Sequence, residues 1–304
     1  MTTPAGVIHD IGYKRYGGAR HGYSTRWRVI MRNHLATAWK TWWRFKSPLM
    51  VAVITMFVAG GIMVFLKNEL FEAGGDRRHL VATFVRTMSD AVLPESFPFF
   101  VRCAFIVSLT IGARTIAGDV KSGAFTFYFA RSIRPRDYVL GKLAGSCVVV
   151  GLLMIPGPFV LAVTRLGLSR STDELIELLP LIPKTLALGA LATLVMAAVP
   201  LAFSALVRNP RYSLALWATY YFVIGYVMQG AGMGLHSSIS ALDIATSLAV
   251  VARELYDFRV PFTVTYWVPL HTALLSLAIH AVAAIAIIVY QVRRLHGSGV
   301  GGAS

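Results

Sequence analysis

Residues 185–207 read TLALGALATLVMAAVPLAFSALV, a run without one acidic or basic side chain, ended by Arg208. Crossing the hydrocarbon core of a bilayer takes about 20 apolar residues. A helix satisfies its own backbone polar groups in lipid at this length, so the run is read as a membrane-spanning helix. Outward from it, five further segments qualify or nearly qualify: 49–66, 97–116, 143–163, 212–233 and 270–292. The second of these is interrupted by Arg102 and closes at Arg114. The expected fold class is all-α, a polytopic membrane protein with six transmembrane helices.

Composition agrees. The 304 residues are 56% hydrophobic and 14% charged, with a mean hydropathy of +0.63. Soluble domains carry about 25% charged residues, so a soluble globule has nowhere to place this much apolar surface. The same figures exclude disorder and a disulfide-stapled secreted fold. Cys103 and Cys147 both fall in apolar runs and read as small core residues. Residues 1–48 contain no apolar stretch of the length a signal sequence needs.

The net charge of +15 would suggest nucleic acid in a soluble protein. In a membrane protein its position matters more. Segments 1–48, 114–142, 208–211 and the C-terminal tail together hold 19 basic and 3 acidic residues, whereas 67–96, 164–184 and 235–269 hold 9 and 11. That split follows the positive-inside rule and makes both termini cytoplasmic, with no nucleic-acid partner. The expected organisation is a cytoplasmic tail over 1–26, one membrane domain over 27–292 and a flexible cytoplasmic tail over 293–304.

Two segments have the pattern of interfacial helices. In 27–46, Trp27, Ile30, Met31, Leu35, Ala38, Trp42 and Phe45 fall on one face, and Arg28, Arg32, Lys40 and Arg44 on another, before Pro48 stops the run. Trp39 adds a third tryptophan to the membrane interface. Such a helix lies in the headgroup layer, cations toward lipid phosphates, either as a plain anchor or as the border of a lateral entrance. In 239–258, Leu242, Ala245, Leu248, Ala249, Ala252 and Leu255 make an apolar stripe, while Asp243, Arg253, Glu254 and Asp257 bar it from spanning. A short amphipathic hairpin before the last span is expected, either a lid or a loop with a buried face.

Several chemistries are missing from the pattern. Gly141-Lys142 lacks the upstream glycine and following hydroxyl of a phosphate loop. The six segments contain no Asp or Glu, which disfavours an ion-coupled carrier. His271 and His280, nine residues apart, fall on opposite helix faces. Met228, Met233 and His236 are irregularly spaced for copper, and Asp119 and Asp137 stand apart without an acidic partner for a catalytic metal. No metal site, cofactor or catalysis is expected in this chain.

The most informative loop is 116–142, IAGDVKSGAFTFYFARSIRPRDYVLGK. Residues 119–131 can form a short helix capped by Asp119, with Phe125, Tyr128 and Phe129 on one side. Residues 132–136 form a basic turn at Pro135. An exposed aromatic knob ringed by cations is a docking surface for a cytoplasmic partner, or an amphipathic helix resting on headgroups. Gly141 and Gly145, four apart, allow close helix packing, within one chain or between two.

An acidic residue with glycine four later, an apolar stretch and then ARSIRPRDYVLGK (130–142) resembles the loop between the second and third spans of type-2 ABC transporter permeases. The layout of spans and interfacial segments is similar too. The segment IHDIGYKRYGGAR (8–20) resembles a leader on some bacterial permeases of this kind. The resemblance implies the membrane subunit of an exporter in the bacterial cytoplasmic membrane, paired with a second permease copy or a homologous permease. Beneath it would sit ABC ATPase subunits carrying ATP and Mg. Asp119, Lys121, Gly123, Phe125, Arg131, Arg134, Pro135 and Arg136 would belong to the coupling helix and its exit. Members often carry Glu where this chain has Asp119. A non-transporting scaffold or sensor that docks a partner through the same loop is the competing reading, and a membrane enzyme is disfavoured by the missing carboxylate cluster.

Overall fold

The structure is a computed structural model that describes residues 25–72, 78–130, 133–257 and 267–297. The leader-like segment 8–20 and Arg131 lie outside them. Every regular element among the described residues is helical. In chain order the α-helices are α1 (Arg26–Trp39), α2 (Ser47–Glu72), α3 (Arg78–Thr110), α4 (Thr115–Lys121), α5 (Ala124–Ala130), α6 (Pro135–Met154), α7 (Pro156–Gly167), α8 (Thr172–Leu178), α9 (Leu181–Leu206), α10 (Pro210–Ala218), α11 (Gly225–Gly234), α12 (Ile244–Leu255) and α13 (Leu270–Gly297).

Five stretches are long and apolar enough to cross a membrane: Trp42–Asn68, Asp90–Lys121, Pro135–Gly167, Thr172–Leu206 and Leu270–Gly297. The chain is an integral membrane protein by this measure. The expected 212–233 span is not among the five. It lies in a helical run made of α10, a π-turn (Thr219–Ile224) and α11, where Tyr212, Tyr220, Tyr221, Tyr226 and Gln229 dilute the apolar content.

The core is organised around α9. The apolar window of Thr172–Leu206 is 67% buried, against 17% for Trp42–Asn68, so α9 is central and α2 peripheral. Ala192, Val195, Met196, Ala198 and Leu201 of α9 are essentially inaccessible. Trp217 of α10 is also fully buried, and its Nε1 donates to Ser108 Oγ of α3 at 3.0 Å. The outward face of α2 carries Ile54, Phe57, Val58 and Phe65, side chains that suit lipid.

Three boundaries differ from the sequence expectation. The 27–46 helix ends at Trp39, and the π-turn Trp42–Lys46 joins the first membrane-crossing stretch. Pro48 is therefore carried within a helical run, where the π-turn passes into α2, instead of stopping a helix. The described part of 239–258 is a 3₁₀ turn (Ser238–Leu242) followed by α12, which buries Ile244, Leu248, Val250, Val251 and Ala252 in the bundle. Asp243, expected only to bar spanning, caps α12 by accepting from Thr246 N at 2.9 Å and Ala245 N at 3.3 Å. Finally, α13 continues to Gly297, so 293–297 are helical and not part of a flexible tail.

Candidate functional site

The loop after α3 is built by local turns tied to distant helices. Beyond Thr110 the chain makes a 3₁₀ turn (Gly112–Arg114) and begins α4 at Thr115. The first N–H groups of a helix have no internal partner. Here Ser204 Oγ of α9 accepts from Ile116 N at 2.9 Å and Ala117 N at 3.0 Å, which pins α4 to the central helix. After Lys121 the chain reverses at Gly123, whose φ of +73° lies in the left-handed region that glycine adopts at least cost. Helix α5 follows. Pro135 then occupies the first position of α6, and Arg134 N donates to Asp137 Oδ2 at 3.4 Å.

Asp119 does not cap a helix over 119–131. Because α4 starts at Thr115, Asp119 sits near its end and turns toward α6. There it accepts from Lys142 Nζ at 2.6 Å and from the Tyr138 hydroxyl at 2.7 Å. The Lys142 side chain is 6% exposed, that of Asp119 18%, so this is a nearly buried ion pair. The rings of Tyr138 and Tyr128 lie 5.5 and 5.8 Å from Lys142 Nζ. Burial and the Asp119 carboxylate push the Tyr128 phenol above its ordinary range. Sequence reasoning did not assign Lys142 or Tyr138 to the site, although a lysine at the very edge of the 143–163 apolar run was a usable signal.

Phe125 is the second correction. Expected on an exposed knob, it is only 2% exposed. Its ring packs 4.6 Å from Phe129 and 5.4 Å from Tyr138, and Phe129 in turn meets His296 of α13 at 4.8 Å. The aromatic side of α5 was grouped correctly, but it points inward. The outward aromatic is Phe127, 75% exposed. Lys121, Arg134 and Arg136 of the same segment are exposed too, while Tyr128 is half-buried. Arg136 Nε lies 3.9 Å from Asp137 Oδ1, a weak contact at the surface.

The segment before the first span also packs inward. Ile30, His34 and Ala38 of α1 are buried against α6. A Cβ on Gly141 would stand 2.7 Å from Trp27 O and Ile30 Cβ, and one on Gly145 2.9 Å from His34 Cδ2. The small residues thus admit α1 of the same chain, and that surface is not open to a second copy. Trp27 is half-buried; Arg28, Arg32, Trp39, Lys40, Trp42 and Arg44 are exposed. Lys46 Nζ lies 5.6 Å from the rings of both Trp39 and Trp42.

Burial, reinforced by the Lys142 ammonium, lowers the His34 pKa to about 3, and its Nε2 pairs with Ser146 Oγ at 3.3 Å. An unfolded histidine titrates near 6.5, so the unfolded chain binds the proton that the folded chain refuses. Stability from this group is fully present above about pH 6.5 and falls as pH drops toward 3. Thermal unfolding at pH 7 and pH 5 is expected to show a larger loss for wild type than for His34→Gln; equal losses would refute the assignment.

Away from this loop, α3, α11 and α12 with the π-turn between α10 and α11 enclose a cavity of about 510 Å³. Phe105 stacks on Tyr221 at 4.0 Å in its wall. It also contains Arg102, 5.1 Å from the Phe99 ring, and an Arg253–Glu95 ion pair at 3.1 Å. Its lining is therefore charged as well as aromatic. Next to it, a cavity of about 790 Å³ holds a linked set of ion pairs, Lys67–Glu174, Arg165–Glu174 and Arg165–Asp90, at 3.2, 3.2 and 2.8 Å.

Neither a protein-family model nor a curated protein matches this chain. Functional assignment therefore rests on the residues themselves.

Proposed function

We propose that this chain is the transmembrane permease subunit of an ATP-binding-cassette exporter of the bacterial cytoplasmic membrane. It crosses the bilayer six times, with 212–233 as a span and both termini cytoplasmic. It pairs with a second permease copy or a homologous permease, and a separate ATPase subunit, which carries ATP and Mg, docks on 119–136. The observation that carries this reading is the construction of that loop. It is held at one end by Ser204 and at the other by the Asp119–Lys142 pair, and it exposes one large aromatic, Phe127, together with the cations Lys121, Arg134 and Arg136. A rigid knuckle fastened to α9 and α6 can pass a push from outside the membrane into the spans. A flexible loop would absorb it. The cavity of about 510 Å³ beside the tyrosine-rich helix supports a transport path for an amphipathic substrate.

The test is co-purification of the ATPase with permease variants at matched expression. A buried aromatic at the centre of an interface commonly contributes over about 2 kcal/mol, which corresponds to affinity about 30-fold weaker on truncation. Phe127→Ala is expected to lose most of the recovered ATPase and its transport-stimulated hydrolysis. Arg136→Ala, at the rim, is expected to have a milder effect that fades at high salt. Equal recovery and unchanged hydrolysis with Phe127→Ala would reject this docking surface.

A further inference from the structure

Where α1, the π-turn Trp42–Lys46, the end of α3 and α6 converge, the chain encloses a smaller cavity of about 280 Å³. Its lining includes Arg44, Arg114, Lys142, His34, Asn33 and Asp119. Lys142 and Asp119 neutralise each other at 2.6 Å, and His34 is uncharged at neutral pH. Arg44 and Arg114 remain. Neither makes an ion pair or side-chain hydrogen bond with another described residue, so the cavity has a net charge of about +2. The threonine hydroxyls are engaged: Thr37, Thr41 and Thr115 donate to the carbonyls of Asn33, Ala38 and Ile111 at 2.9, 2.7 and 2.7 Å. Lys142 is engaged by Asp119, so the charged donors on offer are two guanidinium forks.

We propose that this cavity binds a phosphate ester, held between Arg44 and Arg114, and that its source is the headgroup of an anionic phospholipid. Guanidinium matches the planar, two-toothed geometry of phosphate oxygens better than ammonium does. The position fits a lipid because Arg44 lies at the start of the first membrane-crossing stretch and Arg114 near the end of the second. Trp39, Trp42 and Trp43, neighbours of Arg44 in the chain, are exposed, and tryptophan favours the headgroup boundary. The position of Arg44 is set by Thr110 Oγ1 of α3, which donates to Arg44 O at 3.2 Å. The proposal does not depend on the transport reading.

The experiment is native mass spectrometry and thermal unfolding of the full chain in detergent, titrated separately with dioleoyl-phosphatidylglycerol, dioleoyl-phosphatidylcholine and inorganic phosphate. Wild type is expected to retain phosphatidylglycerol and to unfold at higher temperature with it. Arg44→Gln/Arg114→Gln is expected to bind it about tenfold more weakly, whereas the Arg293→Gln/Arg294→Gln control, at the exposed end of α13, removes the same charge and keeps wild-type binding. Stabilisation by phosphatidylglycerol but not by inorganic phosphate assigns the site to lipid. An equal shift with inorganic phosphate that the double variant abolishes retains the phosphate site and rejects the lipid source. Equal retention of phosphatidylcholine, or a response that the double variant leaves unchanged, overturns the proposal. Should the double variant aggregate, Arg114→Lys keeps the charge and removes the fork; unaltered binding by it would likewise overturn the assignment to guanidinium.

Discussion

Replacing Lys142 with methionine is expected to loosen the whole 115–138 loop, with a loss of about 3 kcal/mol in stability. Removing one partner of a buried ion pair commonly costs about 3–5 kcal/mol because the other charge is left uncompensated. The lower end applies here, since Asp119 keeps 18% of its side-chain surface and partial hydration offsets some of the loss. Methionine has similar length, so packing against Tyr128 and Tyr138 is preserved and the effect isolates the charge. The double variant Asp119→Asn/Lys142→Met should recover most of the stability, because a neutral amide still accepts from the Tyr138 hydroxyl. Thermal unfolding in detergent, read alongside trypsin cleavage within 115–138, measures both. A Lys142→Met protein as stable as wild type, with an uncut loop, would mean the pair does not hold the loop.

Phe125→Ala is expected to have an effect of comparable size. Truncating a buried phenylalanine costs about 3–5 kcal/mol when the site cannot collapse. Here the lost ring packs on Phe129 and Tyr138, which already meet at 5.8 Å, and α5 is a short helix, so partial collapse brings the figure toward about 3 kcal/mol. Phe127→Ala, on the opposite side of the same helix, is expected to change stability by less than about 0.5 kcal/mol. The pair therefore separates folding from docking. Phe125→Ala lowers the unfolding temperature and exposes the loop to protease, whereas Phe127→Ala leaves both unchanged. If Phe125→Ala proved stable while Phe127→Ala unfolded, the orientation of α5 would be reversed.

The membrane character of the chain was legible because it depends only on local composition. A charge-free run such as 185–207 has one physical outcome in lipid, and its stretch is the most buried of the five membrane-crossing stretches. Gly123 fell inside the helix expected over 119–131, and the structure breaks that helix there, with Gly123 in the left-handed conformation that the turn between α4 and α5 needs. The expected span at 212–233 is long and free of charge, yet it is not among the five apolar stretches. Its tyrosines and glutamine place it between a spanning helix and a helix that packs within the bundle, and local hydropathy does not separate the two.

Periodicity grouped Phe125, Tyr128 and Phe129 on one side of a helix, because a period of 3.6 residues is a property of the local chain. Which way that side faced depended on α6 and α13 lying next to it, and Tyr138 and His296 are its partners. Likewise Asp119 had the composition of a cap. The hydroxyl of Ser204, far along the chain, started α4 earlier and freed the carboxylate for Lys142. Gly141 and Gly145 announced a close approach, but only packing made α1 the helix that approaches. Apolar character and helical period were set by neighbours along the chain; the direction of each face and the partner of each charge were set by residues distant in sequence, brought together by burial.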